Sequence, residues 1–293
     1  MGRFHILLGL LAALAPGLAH AAAGDLFYER TLMRAADARC RLFAPPVAQA
    51  LAAAQAQARG AALRSGVEGR VLTQVEARAR ARAAATPCGS RDLATAAARV
   101  RSGFAGYARL TRQDYPGDIA PWRADRTPAA EPRWRLAQET RLGFDRLRFG
   151  LLGAAVPGEL TALVQFADGR TPYAARLVMR DPTRAGGVYL ARYDGRRRPP
   201  LAGRLPPPSA VRTVMASARR PVTESKATKG FKGGWSFAFP ASAVVALDGL
   251  DPREAVAVEF LFSRRGAPDE VRRAYIEVGD FAAGRAFLQL PSR

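Results

Sequence analysis

The sequence predicts an α+β protein: an N-terminal, disulfide-stapled all-α helical bundle of about four helices, followed by an antiparallel β-sandwich or flattened barrel. Three observations carry this prediction. Apolar residues recur every third or fourth position up to about residue 110 and every second position beyond residue 133, and the only two cysteines, Cys40 and Cys88, frame the helical region. We therefore expect a helical domain at 24–112, a proline-rich connector at 113–132 and a β-rich domain at 133–293.

Residues 1–23 have the pattern of a secretory signal peptide. Arg3 precedes an apolar run at 6–14, Pro16 breaks that run, and small residues follow, so we expect cleavage after Ala21 or Ala23. The alternative is an N-terminal membrane anchor, for which the run is shorter than the roughly 20 residues that a bilayer requires. No later segment is apolar enough to predict a transmembrane span. The expected location is periplasmic or secreted.

The chain is strongly basic, with a formal net charge of +20, and all but three of its 45 basic residues are arginine. The positive electrostatic field of such a chain favours anionic partners, including acidic glycans, lipid headgroups and nucleic acid. Export favours an anionic envelope polymer or an envelope protein over nucleic acid, which is not predicted as a partner. A solvated basic surface without a specific partner is the open alternative. The oligomeric state is not indicated.

Histidine is confined to His5 and His20, so the chain without its signal has none. Ser-His-Asp and Cys-His catalysis are thereby excluded, together with metal sites that depend on imidazole. The chain also lacks the glycine-rich sequence of a phosphate loop. We predict no cofactor and no metal site.

The helical region shows four amphipathic patterns. In the first, Tyr28, Leu32, Ala36 and Cys40 recur at four-residue spacing, which places them on one helix face. The helices are expected at 25–41, from Pro45-Pro46 to Ser65-Gly66, at 67–85, and from an N-cap at Ser90 to Tyr107. A compact antiparallel bundle is favoured, and a coiled-coil hairpin of the second and third helices is the alternative.

Cys40 and Cys88 are predicted to form a structural disulfide, because exported proteins fold in an oxidising compartment. By the chain-entropy estimate, closing a loop of about 50 residues stabilises the fold by roughly 4 kcal/mol. A redox or nucleophilic role is the alternative. The spacing is much wider than Cys-X-X-Cys, and no histidine is available to activate either sulfur.

The connector is punctuated by prolines and therefore excludes a regular helix or a central strand. Tyr115, Trp122 and Trp134 are costly to leave in water, so we expect the connector to pack onto the surface. A sugar-stacking platform made of these aromatics is the alternative.

The β-rich region contains two alternating runs, at 160–166 and 173–179, that are joined across Asp168-Gly169. This pattern predicts a β-hairpin with Asp168 in the turn. Further strands are expected at 146–152, 188–193, 211–217, 235–239, 255–262 and 273–278, and short helices at 240–247 and 281–287.

Two basic loops interrupt these strands. Arg196-Arg197-Arg198 precedes a proline-rich extended connection. The loop at 221–234 carries all three lysines and lies beside two aromatic residues. The candidate binding residues for an anionic polymer are therefore Lys226, Lys229, Phe231, Lys232 and Trp235. A solvated insertion is the alternative.

Glu259 and Glu277 are the candidate catalytic carboxylates. Each lies within an apolar run, where burial raises a carboxyl pKa, and two carboxylates are the minimum for glycoside cleavage. The alternative places both on the solvent face of a sheet, neutralised by Arg272 and Arg273. The first functional hypothesis is an exported, non-catalytic envelope protein that binds an anionic glycan, a lipid headgroup or a protein. The alternatives are a carboxylate-dependent glycan hydrolase and a structural or assembly protein.

Overall fold

The computed structural model describes residues 16–184, 190 and 199–290. Four helices precede two antiparallel sheets that share one core, which confirms the predicted α+β class. The first 15 residues, the run Arg196-Arg197-Arg198 and all of the predicted strand 188–193 except residue 190 lie outside this description. Among the described helices, none combines the length and apolarity that a membrane span requires.

The helical part forms the predicted bundle. Its members are α1 (Pro16–Cys40), α2 (Pro45–Arg64), α3 (Gly69–Ala85) and α4 (Arg91–Tyr107). Helix α1 packs against both α2 and α3, so the second and third helices do not pair as a hairpin. The side chain of Ser90 caps α4 by accepting a hydrogen bond from the Leu93 amide at 3.2 Å. At the other end, Arg126 donates to the Ala108 carbonyl at 2.5 Å.

The predicted disulfide between Cys40 and Cys88 is present, with the two Cα atoms 5.6 Å apart. It joins the last residue of α1 to the turn between α3 and α4. A single covalent link therefore fixes the end of the first helix against the entrance of the fourth.

The described strands form two sheets in which all neighbouring strands are antiparallel. The larger sheet has seven strands, which in order of neighbours are β1 (Arg112–Tyr115), β2 (Trp122–Asp125), β3 (Arg133–Leu142), β4 (Asp145–Gly153), β5 (Glu159–Gln165), β9 (Trp235–Phe239) and β8 (Ala218–Pro221). The smaller sheet has four, in the order β11 (Glu270–Glu277), β10 (Ala255–Phe262), β6 (Ala174–Arg180) and β7 (Val211–Met215). Two short α-helices, α5 (Ala241–Asp248) and α6 (Phe281–Leu288), and two 3₁₀ helices at Leu201–Arg204 and Pro208–Ala210 complete the described part of the fold.

The hairpin predicted across Asp168-Gly169 is wrong. Strand β5 pairs with β4 and β9 in the large sheet, whereas β6 pairs with β10 and β7 in the small one. The turn itself exists, with Gly169 at φ +70° and the Asp168 carboxylate accepting from the Arg170 amide. A tight turn between two alternating runs therefore carries the chain from one sheet to the other. A hairpin and such a crossing between sheets have the same sequence pattern.

The core lies between the inner faces of the two sheets. Phe149, Phe237 and Phe239 from the large sheet are fully buried, and so are Val258 and Phe260 from the small one. Tyr115 and Trp122 of the connector are also completely buried, because the connector supplies the edge strand β1 and the strand β2. The expectation that the connector excludes a central strand is wrong, since β2 pairs with β1 on one side and with β3 on the other. The connector is thus packed onto the β-rich part, as expected.

Candidate binding surface

The two candidate catalytic carboxylates lie on adjacent strands but are not close together. Glu259 is on β10 and Glu277 is on β11, opposite Ala255. Both point to the outer face of the small sheet, four residue pairs apart, which corresponds to about 13 Å at the usual rise per residue. Glycosidases place their two carboxyl groups about 5–9.5 Å apart. The register therefore gives no support to their acting as a pair.

Each carboxylate accepts hydrogen bonds from neighbouring groups of the fold. Glu259 is 2% exposed and accepts hydrogen bonds from Arg176 and Arg273 on the flanking strands, both at 2.6 Å. Glu277 is fully buried and accepts from the backbone amides of Asp118 and Ile119, at 2.6 and 2.8 Å. Of the two arginines expected to neutralise this pair, Arg273 does contact Glu259, whereas Arg272 binds Asp168 and Glu270.

A third buried carboxylate, Glu254, was not singled out from the sequence. Burial raises the pKa of Glu254, an effect that Arg180 offsets only in part. Arg180 donates to it at 2.8 Å, so the pair ties the end of β6 to the turn before β10. Glu254 follows Arg253 in a turn, and the sequence around it did not predict that its side chain is buried.

The lysine-containing loop at 222–234 lies on the outer face of the large sheet, and backbone carbonyls anchor it there. Trp134 on β3 and Arg148 on β4 both donate to the Ala227 carbonyl, at 2.9 and 3.2 Å. Arg146 donates to Gly230 at 3.0 Å, and Gln165 donates to Lys232 at 2.7 Å. The loop is therefore held in place by side chains of three adjacent strands.

Phe231 attaches the loop from beneath. Its side chain is 1% exposed, and the guanidinium groups of Arg146 and Arg148 lie 5.4 Å from the centre of its ring. Arg148 also lies 5.7 Å from the Trp134 ring. Arginine and aromatic side chains thus alternate under the loop, an arrangement in which cation–π attraction adds to apolar burial.

The loop lysines Lys226, Lys229 and Lys232 are all exposed. From β3 to β8, three exposed arginines accompany them on the same side of the large sheet, since Arg141, Arg146 and Arg220 all have the outward register. We call this set the cationic face, and it comprises Lys226, Lys229, Lys232, Arg141, Arg146 and Arg220. None of the six forms an ion pair with another described residue.

The cationic face extends across five neighbouring strands, from β3 to β8. Four strand spacings amount to about 19 Å, which is wider than a single phosphate or carboxylate group requires. Carboxylates are few across these five strands and the loop: Glu139 is paired with Arg148 at 2.6 Å, and Glu159 and Glu224 are exposed. Asp114 and Asp125 lie on the same side of the sheet, on β1 and β2. The arrangement can therefore attract an extended polyanion through an open, salt-sensitive surface.

Trp235 does not belong to the cationic face. It has the inward register of Phe237 and Phe239 and is covered by Arg219, whose guanidinium lies 4.3 Å from the ring centre. Trp235 and the buried Phe231 thus support the loop and the core, and the three lysines remain as the accessible members of the predicted set. The arginines of the face were not predicted, because their common side follows only from the pairing of β3 with β4 and of β8 with β9.

Within residues 16–184, 190 and 199–290, no cluster of three or more histidine, cysteine or carboxylate side chains is arranged to hold a metal ion. The fold and this surface define a two-part α+β protein with a cationic sheet face. No protein-family model, curated protein or solved structure matches the chain.

Proposed function

We propose that this is an exported, non-catalytic envelope protein that binds an acidic glycan through the cationic face. The observation that carries the proposal is the loop at 222–234: its backbone is fixed by Trp134, Arg146 and Arg148, while its three lysines point to solvent. A fixed loop presents charge without a large entropic cost of ordering on binding.

Export is supported by the signal-like pattern of residues 1–23 and by the Cys40–Cys88 disulfide, which is typical of an oxidising compartment. An acidic glycan is favoured over a single headgroup because the six cations are spread over several strands. A periplasmic or secreted location follows as part of the same proposal. N-terminal sequencing of the exported protein is expected to show a chain that begins at Ala22 or Gly24.

The binding test uses the full exported protein and polygalacturonate as the acidic glycan, with dextran as the neutral one. Isothermal titration calorimetry at low ionic strength is expected to show binding to polygalacturonate only, and affinity should fall as salt is added. Replacing Lys226, Lys229 and Lys232 together by Gln should weaken binding about tenfold, since each exposed charge contact contributes about 0.5 kcal/mol.

The matched control carries the same loss of three charges elsewhere, in Arg91, Arg264 and Arg265, which are exposed and lie outside the cationic face. This variant should bind as the unaltered protein does. Equal weakening in both variants would show that net charge alone is responsible. Absence of binding to polygalacturonate, or binding only to vesicles of anionic phospholipid, would overturn the glycan proposal.

A further inference from the structure

A groove runs between α1 and α4, with α2 as its floor. Helix α1 packs along α2 and α3, and α4 packs on α2, so the first and fourth helices leave a gap between them. The gap has a volume of about 370 Å³, which is within the size range of small-molecule sites. Its lining is mainly apolar, with Leu26, Leu32, Met33, Leu51, Val100 and Phe104 as the large side chains.

The groove is elongated. A second depression of about 320 Å³ shares Leu32 and Ala96 with it and continues to Thr86 and Pro87. Measured along α4 from Ser90 to Phe104, the two together extend about 21 Å at the usual helical rise. The first depression is the apolar part, whereas Arg82, Ser90 and Asp92 also line the second. The apolar part matches a flexible acyl chain better than a rigid polar ligand.

Basic side chains stand on both walls. Arg30 of α1 and Arg99 of α4 line the groove, and Glu29 is the acidic residue that lines the same part. Arg30 is half-buried and donates to the Ala54 carbonyl at 2.6 Å. Burial lowers the pKa of Arg30, as expected for a charge that is only partly in contact with water. A cation in such a position gains more from an incoming anion than a fully hydrated one does.

We propose that this groove binds a single-chain amphiphile with an acidic head group, whose acyl chain lies over Leu51 and Met33 and whose head group lies between Arg30 and Arg99. Leu51 of α2 lies in the floor and is 1% exposed, and Met33 of α1 lies at the base of one wall and is 6% exposed. The apolar floor selects a hydrocarbon chain, and the two arginines select a negative head group. The groove lies in the helical part, and the proposal is independent of glycan binding at the cationic face.

The test uses dodecyl phosphate below its critical micelle concentration as the probe, with dodecyl maltoside as an uncharged amphiphile of the same chain length. Calorimetry on the full exported protein is expected to show one saturable site for dodecyl phosphate and at least about tenfold weaker binding of the maltoside, a difference of 1.4 kcal/mol. Ala96→Phe places a ring in the groove and should abolish binding. Ala98→Phe, on the exposed side of the same helix, should leave binding unchanged.

Arg99→Gln is the second variant, because this exposed side chain can be replaced without disturbing the bundle. It should weaken dodecyl phosphate binding several-fold and leave the maltoside unaffected, while Arg91→Gln changes neither. Failure of the native protein to bind dodecyl phosphate at a saturable site would overturn the proposal. So would undiminished binding in Ala96→Phe, or equal affinity for the two amphiphiles in native and Arg99→Gln protein.

Discussion

Buried charged side chains in this protein hold irregular backbone segments against the β-sheets. Glu277 accepts hydrogen bonds from three successive amides of the connector, those of Asp118, Ile119 and Ala120, at 2.6, 2.8 and 3.2 Å. Arg135 is 1% exposed and donates to the carbonyls of Thr127, Gly153 and Ala154. In both cases one side chain satisfies several backbone groups, which offsets the cost of burying the charge.

Replacing Glu277 by Ala tests this anchoring role. The change leaves three connector amides without their acceptor and removes a carboxylate that lies 3.7 Å from the fully buried Arg204. We expect the free energy of unfolding to fall by about 3–5 kcal/mol, the usual cost of breaking a buried charge network. Urea denaturation followed by circular dichroism measures it. Glu159→Ala, at an exposed carboxylate, should change the stability by less than about 0.5 kcal/mol, and a similar small effect at Glu277 would contradict the anchoring role.

At the residue scale the sequence showed which side chains are unusual but not what they contact. Glu259 and Glu277 were recognisable because they interrupt apolar runs. The partners of Glu277, however, lie 157 to 159 positions away in the chain, and only the packing of the connector against β11 brings them together. The same reason kept the arginines beneath Phe231 from being predicted, since they lie on β4 and the ring lies in the loop before β9.

At the scale of elements, the regular spacing of apolar residues was sufficient to predict a helix or strand that has one buried face. The four helices follow from apolar residues at every third or fourth position, and β10 follows from the alternation of Val256, Val258, Phe260 and Phe262. The burial of β10 on both faces was not predicted. Strands β1, β2, β3 and β8 were missed. Three of them are only four residues long, and two of these lie in the proline-rich connector. Strand β3 has ten residues, but charged and polar side chains interrupt its apolar positions, so it lacks a regular alternation. The failed hairpin has another cause: a tight turn fixes the chain direction locally but does not determine which sheet the next strand joins.

The disulfide is the element-scale contact that is most readily tested. It closes a separation of 48 residues that includes α2, α3 and the turns beside them. We expect the double substitution Cys40→Ser and Cys88→Ser to lower the free energy of unfolding by roughly 2–4 kcal/mol, because the unfolded chain regains the entropy that the closed loop removes. Thermal and urea unfolding of oxidised, reduced and double-Ser protein give the comparison. Reduced protein should match the double-Ser variant, and equal stability of all three would contradict the prediction.

At the scale of the whole molecule, the helical and β-rich parts are joined by a close contact between α2 and the start of α6. Arg64 of α2 forms a two-point ion pair with Asp280, and one of its contacts measures 2.9 Å. Both side chains are almost completely buried. Gly60 makes this approach possible, because a Cβ atom there would collide with the Asp280 carboxylate and would lie 3.1 Å from the Arg64 guanidinium. Ala50 and Ala53 of α2 extend the same contact into the main core.

Gly60→Ala therefore distinguishes helix propensity from interdomain packing. Propensity alone favours alanine inside a helix by about 1 kcal/mol. The added methyl group would displace the Arg64–Asp280 pair, and we expect a net loss of about 1–3 kcal/mol, the usual cost of overpacking a tight interface. The control is Gly103→Ala in α4, where an added Cβ meets no atom within 4 Å, and which should gain stability by about 0.5–1 kcal/mol.

The same variant tests whether the two parts unfold together. All three tryptophans, Trp122, Trp134 and Trp235, belong to the connector and the β-rich part, whereas most helical residues lie in the bundle. Tryptophan fluorescence and helical circular dichroism therefore report on different parts of one chain. In the unaltered protein the two urea transitions should coincide, as expected when the parts share a core. In Gly60→Ala the helical signal should be lost at a lower urea concentration than the tryptophan signal. Coincident transitions at the unaltered midpoint would show that the α2–α6 contact does not couple the two parts.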